Sequence, residues 1–336
     1  MTKRNVVTGA TGLLGSHIVE QLIGRGEQVR ALVRAGSDTA RLRRLGVELV
    51  EGDLQQPASL PRAVADADVV YHCAARVGDW RPWRAYKANI VAATQHVLDA
   101  CRTVGVGRFL HVSSIGVYGH LGDRERPITE EEPLGQNPWV WDYYPRAKLL
   151  AERQVQRYSG PWTIVRPTWL YGPYDRNTLP RVVTAMTAGR VAVIGTGENL
   201  INIVYAGDVA DGCIRAANHA GAVGQAYNLS SLGELTQRQF IDRLSEVLNL
   251  PRVHKHVSFR MAFWGGFVSE FIGRLIFLRR PPHITRHVVS LVGRSTRFSI
   301  DKARTQLGWT PRVGVEEGLK RTLAWYYAQL EVKRGS

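Results

Sequence analysis

Two side chains four residues apart, Tyr144 and Lys148 in the run Tyr144-Pro145-Arg146-Ala147-Lys148, carry the strongest chemical signal of this sequence. On a helix that spacing sets a phenol and an ammonium on one face, one turn apart, and Pro145 marks a helix start. A free phenol has a pKa of about 10, too high for good acid or base work near neutrality. A nearby cation favours the phenolate and lowers that value, so the pair reads as a proton-transfer device. Tyr143 lacks the spacing. Upstream, Val112-Ser113-Ser114 ends an apolar run, where Ser114 can hydrogen-bond a substrate oxygen as charge develops on it.

Such groups need a scaffold that holds them beside a ligand. Thr8-Gly9-Ala10-Thr11-Gly12-Leu13-Leu14-Gly15 follows one β-branched run and opens a helical pattern. Free backbone N–H groups and the helix dipole then meet where a pyrophosphate can sit, and glycine lets the phosphates and the helix come close. The spacing is GxxGxxG rather than GxGxxG, and its place after a strand points to a dinucleotide held by Gly9, Thr11, Gly12, Leu13, Leu14 and Gly15. The next strand ends Ala31-Leu32-Val33-Arg34, without the acid that binds a ribose 2′-OH. An arginine there pairs with a 2′-phosphate, so NADP(H) is expected over NAD(H). Asp53 and Leu54 are placed to frame the adenine, and Ala74 and Ala75 end a fourth strand in small residues that leave room for the cofactor. Lys148 can also hold the nicotinamide ribose.

Strands are expected at Asn5 to Val7, Gln28 to Val33, Val47 to Val50, Val69 to His72, Phe109 to Val112 and Thr163 to Val165, with helices at Ser16 to Ile23 and Ala85 to Val104 between them. This alternation predicts an α/β fold, a doubly wound parallel sheet of the Rossmann kind. After Pro167 the pattern is less regular. Helices at Pro180 to Gly189 and Thr236 to Leu248, and strands at Val191 to Ile194, Asn202 to Val204 and Ala226 to Leu229, predict a smaller C-terminal lobe. Residues 1–166 with about 202–230 are assigned to the nucleotide-binding domain, and 167–201 with 231–330 to the substrate lobe. Stretches at Arg297 to Gly308 and Val315 to Gln329 close the chain.

With 336 residues, 44% of them hydrophobic and 22% charged, the composition is that of a globular protein. Three dispersed cysteines, Cys73, Cys101 and Cys213, and no His cluster argue against a metal site and for a reducing compartment. The chain enters a strand within about five residues, which predicts a cytoplasmic protein. A net charge of +15 favours anionic partners, but the arginines are scattered, so no nucleic-acid partner is expected.

Taken in order, TGATGLLG, GDL, SSIGVYG, YPRAK, VRPTWLYGP and KARTQLGWTP resemble the extended short-chain dehydrogenase/reductase superfamily, the NAD(P)-dependent epimerase/dehydratase group, over nearly the whole chain. The resemblance implies catalytic roles for Ser114, Tyr144 and Lys148 and a nicotinamide contact at Pro167. It also implies a homodimer formed through helices that flank the sheet. Sugar-nucleotide 4,6-dehydratases carry an Asp-Glu pair where this chain has Ile115-Gly116, and sugar-nucleotide epimerases usually carry an arginine where it has Ile201. Those departures, with the segment from Ala75 to Trp80 and the tail after Pro251, make it most similar to 3β-hydroxysteroid dehydrogenase-like and dihydroflavonol reductase-like members. The implied activity is interconversion of a secondary alcohol and a ketone on a hydrophobic steroid-, terpenoid- or flavonoid-like substrate. A nucleotide-sugar epimerase and a non-catalytic NADP(H)-binding protein are the alternatives.

From Ser258 to Leu278 runs SFRMAFWGGFVSEFIGRLIFL, followed by Arg279-Arg280-Pro281-Pro282. Arg260, Glu270 and Arg274 make a membrane span costly. Trp264, Phe267, Phe271, Leu275 and Leu278 recur at helical spacing. The stretch therefore reads as a helix covering the substrate lobe, or as an amphipathic surface helix giving peripheral membrane contact through residues 258–280.

Overall fold

The computed structural model describes residues 2–78, 80–232, 235–278 and 280–334. Asp79 and Arg279, both in segments singled out above, lie outside the described residues. Eleven strands are formed among the described residues: β1 (Arg4–Thr8), β2 (Gln28–Val33), β3 (Glu48–Glu51), β4 (Val69–His72), β5 (Arg108–Val112), β6 (Trp162–Pro167), β7 (Trp169–Tyr171), β8 (Val193–Ile194), β9 (Ile203–Tyr205), β10 (Gln225–Leu229) and β11 (His256–Val257). Seven of them make one parallel sheet in the order β10-β6-β5-β4-β1-β2-β3. The chain winds outward in both directions from β1 and β4, and the crevice at such a switch point is where ligands of this architecture bind.

Neighbouring residues on each central strand feed opposite layers, because successive side chains alternate faces. Val7, Tyr71, Leu110 and Val165 pack under the helices Leu13–Gly24 and Ala206–Asn218. Val6, Val70, Phe109 and Ile164 pack under Leu60–Val64 and Ala93–Val104. Burial on both faces is why these strands read as unbroken apolar runs rather than alternating ones.

Most of the elements that the sequence reading misses are short. The helix Ala206–Asn218 is an exception, unanticipated although it buries Val209, Cys213 and Ile214 beside Ala206, Ala210, Ala216 and Ala217 on one apolar face. The strands expected at Asn202 to Val204 and Val191 to Ile194 form as β9 and β8, but their partners outside the main sheet, β7 and β11, are unanticipated, being three and two residues long, too few for a period to show. Arg286–Gly293 is a further unanticipated helix, capped by Thr285, whose hydroxyl accepts from the Val288 N–H at 3.3 Å. The helix Tyr143–Gln156 begins two residues before Pro145, which therefore sits inside the first turn, where a proline's missing N–H is harmless. Arg297 to Gly308 is helical only over Asp301–Leu307 and ends on Gly308 at φ 60°.

The C-terminal tail is bonded back to the sheet layer. Trp309 is fully buried, and its indole N–H donates to the Asp208 carbonyl at 2.8 Å. Asp208 Oδ2 in turn accepts from the N–H groups of Arg312 and Val313 at 3.1 and 2.9 Å.

Candidate active site

The glycine turn closes at the carboxyl end of β1. Gly9 stands at φ 71°, and a Cβ added there would meet the Ala74 backbone at 2.9 Å. Glycine is needed on both counts, conformation and space. A side chain on Gly15 would collide with the Gly9 carbonyl, so the helix Leu13–Gly24 can approach the turn only as it does. Gly12 donates to Gly9 O at 2.9 Å and opens that helix with no side-chain cap. The N–H groups of its first turn have no intrahelical acceptor and face the switch point, a cradle that fits a pyrophosphate.

Three side chains that the sequence reading left out hold this turn. Thr8 Oγ1 bonds His72 Nδ1 at 2.9 Å and accepts the Ala74 N–H at 3.2 Å, while His72 Nε2 reaches Thr94 Oγ1 at 3.1 Å. Arg41 donates to the Ala10 carbonyl at 3.3 Å and to Ser16 Oγ at 2.8 Å, and it pairs with Glu20 at 3.0 Å. Arg34, by contrast, is exposed at the end of β2, and no ion pair engages its guanidinium among the described residues. Asp53 Oδ1 accepts the Gln55 N–H at 2.9 Å, and the Leu54 carbonyl is held by His96 at 2.7 Å.

At the ends of β5 and β6 the proton-transfer residues meet. Ser114 Oγ accepts from the Gly116 N–H at 3.1 Å. Burial pushes the Tyr144 phenol up to about 12, with the Ser114 hydroxyl pulling the other way. Lys148 is buried and donates to the Val112 carbonyl at 2.7 Å. Desolvation lowers its ammonium to about 8, while Cys73 and Glu152 hold it up. In the chain alone the expected depression of Tyr144 by Lys148 is therefore absent, because desolvation outweighs any field from an ammonium already bonded to a carbonyl. The strand register, His72 beside His111 and Val112 beside Val165, sets Ala74, Ala75, Ser114 and Pro167 along one sheet edge with the glycine turn. Arg34 and Asp53 follow the outer strands β2 and β3 at the same edge.

Beneath the edge lies a buried ionic network with no obvious sequence signature beyond Glu152 lying one turn after Lys148. Glu152 takes Arg166 Nε at 3.1 Å and Ser113 Oγ at 2.7 Å. Arg166 Nη1 donates to the Tyr118 hydroxyl at 2.9 Å, which donates to Asn228 Oδ1 at 2.8 Å. The helix Tyr143–Gln156, β5, β6 and β10 are thereby locked together directly behind Ser114, Tyr144 and Lys148.

A cleft of about 450 Å³ opens beside Ser114 and Tyr144, with their chain neighbours Ile115, Gly116 and Pro145 in its wall. Leu121, Trp139, Phe259, Phe263 and Phe298 make most of the rest apolar, and His120, Arg260, His287 and Arg294 bring positive or titratable groups. His120 stacks on Trp139 with ring centroids 3.3 Å apart and bonds Asp142 at 2.6 Å. The helix Phe259–Leu275 forms one side of this cleft, seated through Ala262, Gly266 and Gly273 together with the half-buried Phe259 and Phe263.

A phosphate cradle at a parallel-sheet switch point, with a serine, a tyrosine and a lysine on the adjoining strand and helix ends, defines an NAD(P)-dependent short-chain dehydrogenase/reductase-type enzyme. The chain belongs to the NAD dependent epimerase/dehydratase family, whose family model matches residues 5–230. It is 32% identical to a 2-alkyl-3-oxoalkanoate reductase of Stenotrophomonas maltophilia, covering 95% of this chain and 98% of that protein. It is 29% identical to the mouse (Mus musculus) sterol-4-alpha-carboxylate 3-dehydrogenase, decarboxylating, covering 97% of this chain and 91% of that one. Among solved structures it superposes on gox2253 with a TM-score of 0.80 at 28% identity, covering 98% and 99% of the two chains. The fold is also that of a UDP-glucose 4-epimerase from Thermotoga maritima, with a TM-score of 0.75 at 24% identity over 97% and 99%.

The buried histidine behind the turn makes the site acid-sensitive. Burial, and then the Lys148 charge, hold His72 down to about 3 from 6.5. A depressed base means that the unfolded chain binds the extra proton, so its contribution to stability is full above pH 6.5 and is lost as pH falls toward 3. Between pH 7 and pH 5 this one ring should cost about 2 kcal/mol of unfolding free energy. Urea titrations of the native protein and His72→Asn at the two pH values test it: the variant should lose less by that amount, and equal losses would contradict the assignment.

Proposed function

We propose that this enzyme interconverts a secondary alcohol and a ketone on a hydrophobic substrate, with NADP(H) as the preferred cofactor. The observation that carries the reading is that Ser114 acts on the Tyr144 phenol beside an apolar, aromatic-lined cleft walled by their neighbours Ile115, Gly116 and Pro145. A bound nicotinamide supplies the hydride for reduction or accepts it in oxidation. Tyr144 gives its phenolic proton to the carbonyl oxygen in reduction and takes the alcohol proton in oxidation, and Ser114 donates a hydrogen bond to that oxygen. Lys148 spends one of its three N–H donors on Val112 O and keeps two for the ribose hydroxyls. That cation and a cationic ring together oppose the desolvation that raises the phenol. The NADP(H) preference is supported by Arg34, which pairs with no carboxylate among the described residues and could meet a 2′-phosphate, whereas Arg41 is already tied to Glu20, Ser16 and Ala10.

Both relatives' names put a carboxylate on the carbon next to the one bearing the reacting oxygen. A substrate of that class suits a lining that holds Arg260, which no ion pair engages among the described residues, whereas Arg294 is paired with Asp123 and His120 and His287 face Asp142. The nucleotide-sugar reading is less well supported, because Ile201, at the place of the usual arginine, is spent on packing in the C-terminal lobe core.

Tyr144→Phe should lower turnover of an apolar ketone roughly 10²–10⁴-fold while NADPH affinity, followed by fluorescence, stays nearly unchanged; an active variant would overturn the acid/base assignment. Arg34→Ala should erode the preference for NADPH over NADH by about 10- to 100-fold, the worth of a charge-assisted contact, and an unaltered kcat/KM ratio for the two cofactors would remove Arg34 from the site. A 2-alkyl-3-oxo acid should show a KM on the order of tenfold below that of its methyl ester if the cationic lining binds the carboxylate. Equal values would assign recognition to the apolar walls alone.

A further inference from the structure

The helix Phe259–Leu275 seats Phe259, Phe263 and Phe267 half-buried on its inner side and carries further large apolar residues on its outer side, where no core is. Its buried positions are Ala262, Gly266, Glu270 and Gly273. A Cβ on Gly266 would meet the Arg286 backbone at 2.9 Å, and one on Gly273 the Trp80 ring at 3.1 Å, so the helix is seated close through residues that bury little area. Facing out are Met261 at 69% exposure, Trp264 at 61%, Phe271 at 52%, Leu275 at 67% and, in the turn that follows, Phe277 at 88%. A fold does not need those side chains there, and a contiguous apolar face of this kind on a globular domain marks a contact surface.

Its surroundings are basic. From Arg252 to Arg297 the only carboxylate in the sequence is Glu270, and that one is turned inward, paired with Arg286 at 2.7 Å. Arg252, Lys255, Arg260 and Arg280 are exposed around the helix. The segment bearing the exposed Arg76, Arg81 and Arg84 is fastened to its end by the Trp80 indole donating to the Leu278 carbonyl at 2.8 Å. No described helix is long and apolar enough to cross a membrane. An apolar face rimmed with arginine, with no exposed carboxylate on the helix itself and one, Glu246, paired with Arg252 at the rim, is complementary to an anionic lipid surface, and a helix of that pattern lies in the headgroup region instead of spanning it.

We propose that the outer face of the helix Phe259–Leu275, with the turn through Phe277, docks this enzyme on anionic membranes. The contact touches the proposed function at one residue. Trp264 stands on the exposed face and also lines the cleft, next to Phe259 and Phe263 on the same helix, so an apolar substrate can pass from the lipid to the site along one helix. Docking itself does not require the proposed reaction.

The test is sedimentation of the full chain with vesicles of phosphatidylglycerol mixed with phosphatidylcholine, and with phosphatidylcholine alone, beside light scattering of the free protein. The protein should bind the mixed vesicles, bind the neutral ones at least about tenfold less, and release on raising salt. The double variant Leu275→Glu, Phe277→Glu should lose vesicle binding at least about tenfold, with NADPH affinity and the reduction of a water-soluble ketone unchanged as proof of folding. Equal binding by the variant, equal binding to neutral vesicles, or no binding at all would overturn the proposal. So would a native dimer that the double variant converts to a monomer without any vesicle binding, since the face would then belong to a second copy. Vesicle binding by a protein inactive on every ketone would leave docking intact and remove the catalytic reading.

Discussion

The site depends on one buried ionic contact, Glu152 with Arg166, formed behind the carboxyl edge of the sheet. Glu152 and Lys148 are one turn apart on the helix Tyr143–Gln156, and both reach back to the strands, Glu152 to Arg166 on β6 and to Ser113, Lys148 to the last carbonyl of β5. A carboxylate and a guanidinium taken out of water cost several kcal/mol each and are tolerated only when fully bonded. Here every partner is present, so the helix has a single seat. That seat fixes where the Tyr144 phenol stands relative to Ser114, and Tyr118 and Asn228 carry the same network on to β10.

The opposite half of the edge is governed by absence of side chains. At Gly9 and Gly15 the backbones of two strands and a helix meet at distances that no Cβ would permit. Thr8, His72 and Arg41 then fasten the turn so that its N–H groups stay directed outward. A rigid glycine turn and the rigidly seated Ser114, Tyr144 and Lys148 are thus held on one sheet edge by unrelated means.

Much of this was legible in the chain. The seven-stranded sheet, the glycine turn and the Ser114, Tyr144 and Lys148 positions follow from local spacing, because a period of two or of 3.6 and a glycine requirement are written in neighbouring residues. Thr8, His72, Arg41 and Glu152 were not legible. Their roles depend on partners such as Arg166 or Thr94 brought up by the fold, and nothing in their local sequence distinguishes them from ordinary polar residues. The helix Phe259–Leu275 shows a different limit. Its period announces an apolar face correctly, but periodicity does not say which face goes inward, and here Gly266 and Gly273 decide it by admitting close contact.

The central claim is that Tyr144 is an acid only in company. In the chain alone burial holds its phenol near 12, useless at neutral pH, and Lys148, bonded to Val112 O, does not correct it. The direct measurement is an ultraviolet tyrosinate titration of the native protein minus Tyr144→Phe, with and without NADP⁺. The account predicts that the difference phenol ionises at about 12 without cofactor and several pH units lower with it, on the scale that a close cation can produce. One and the same midpoint in both titrations would contradict it.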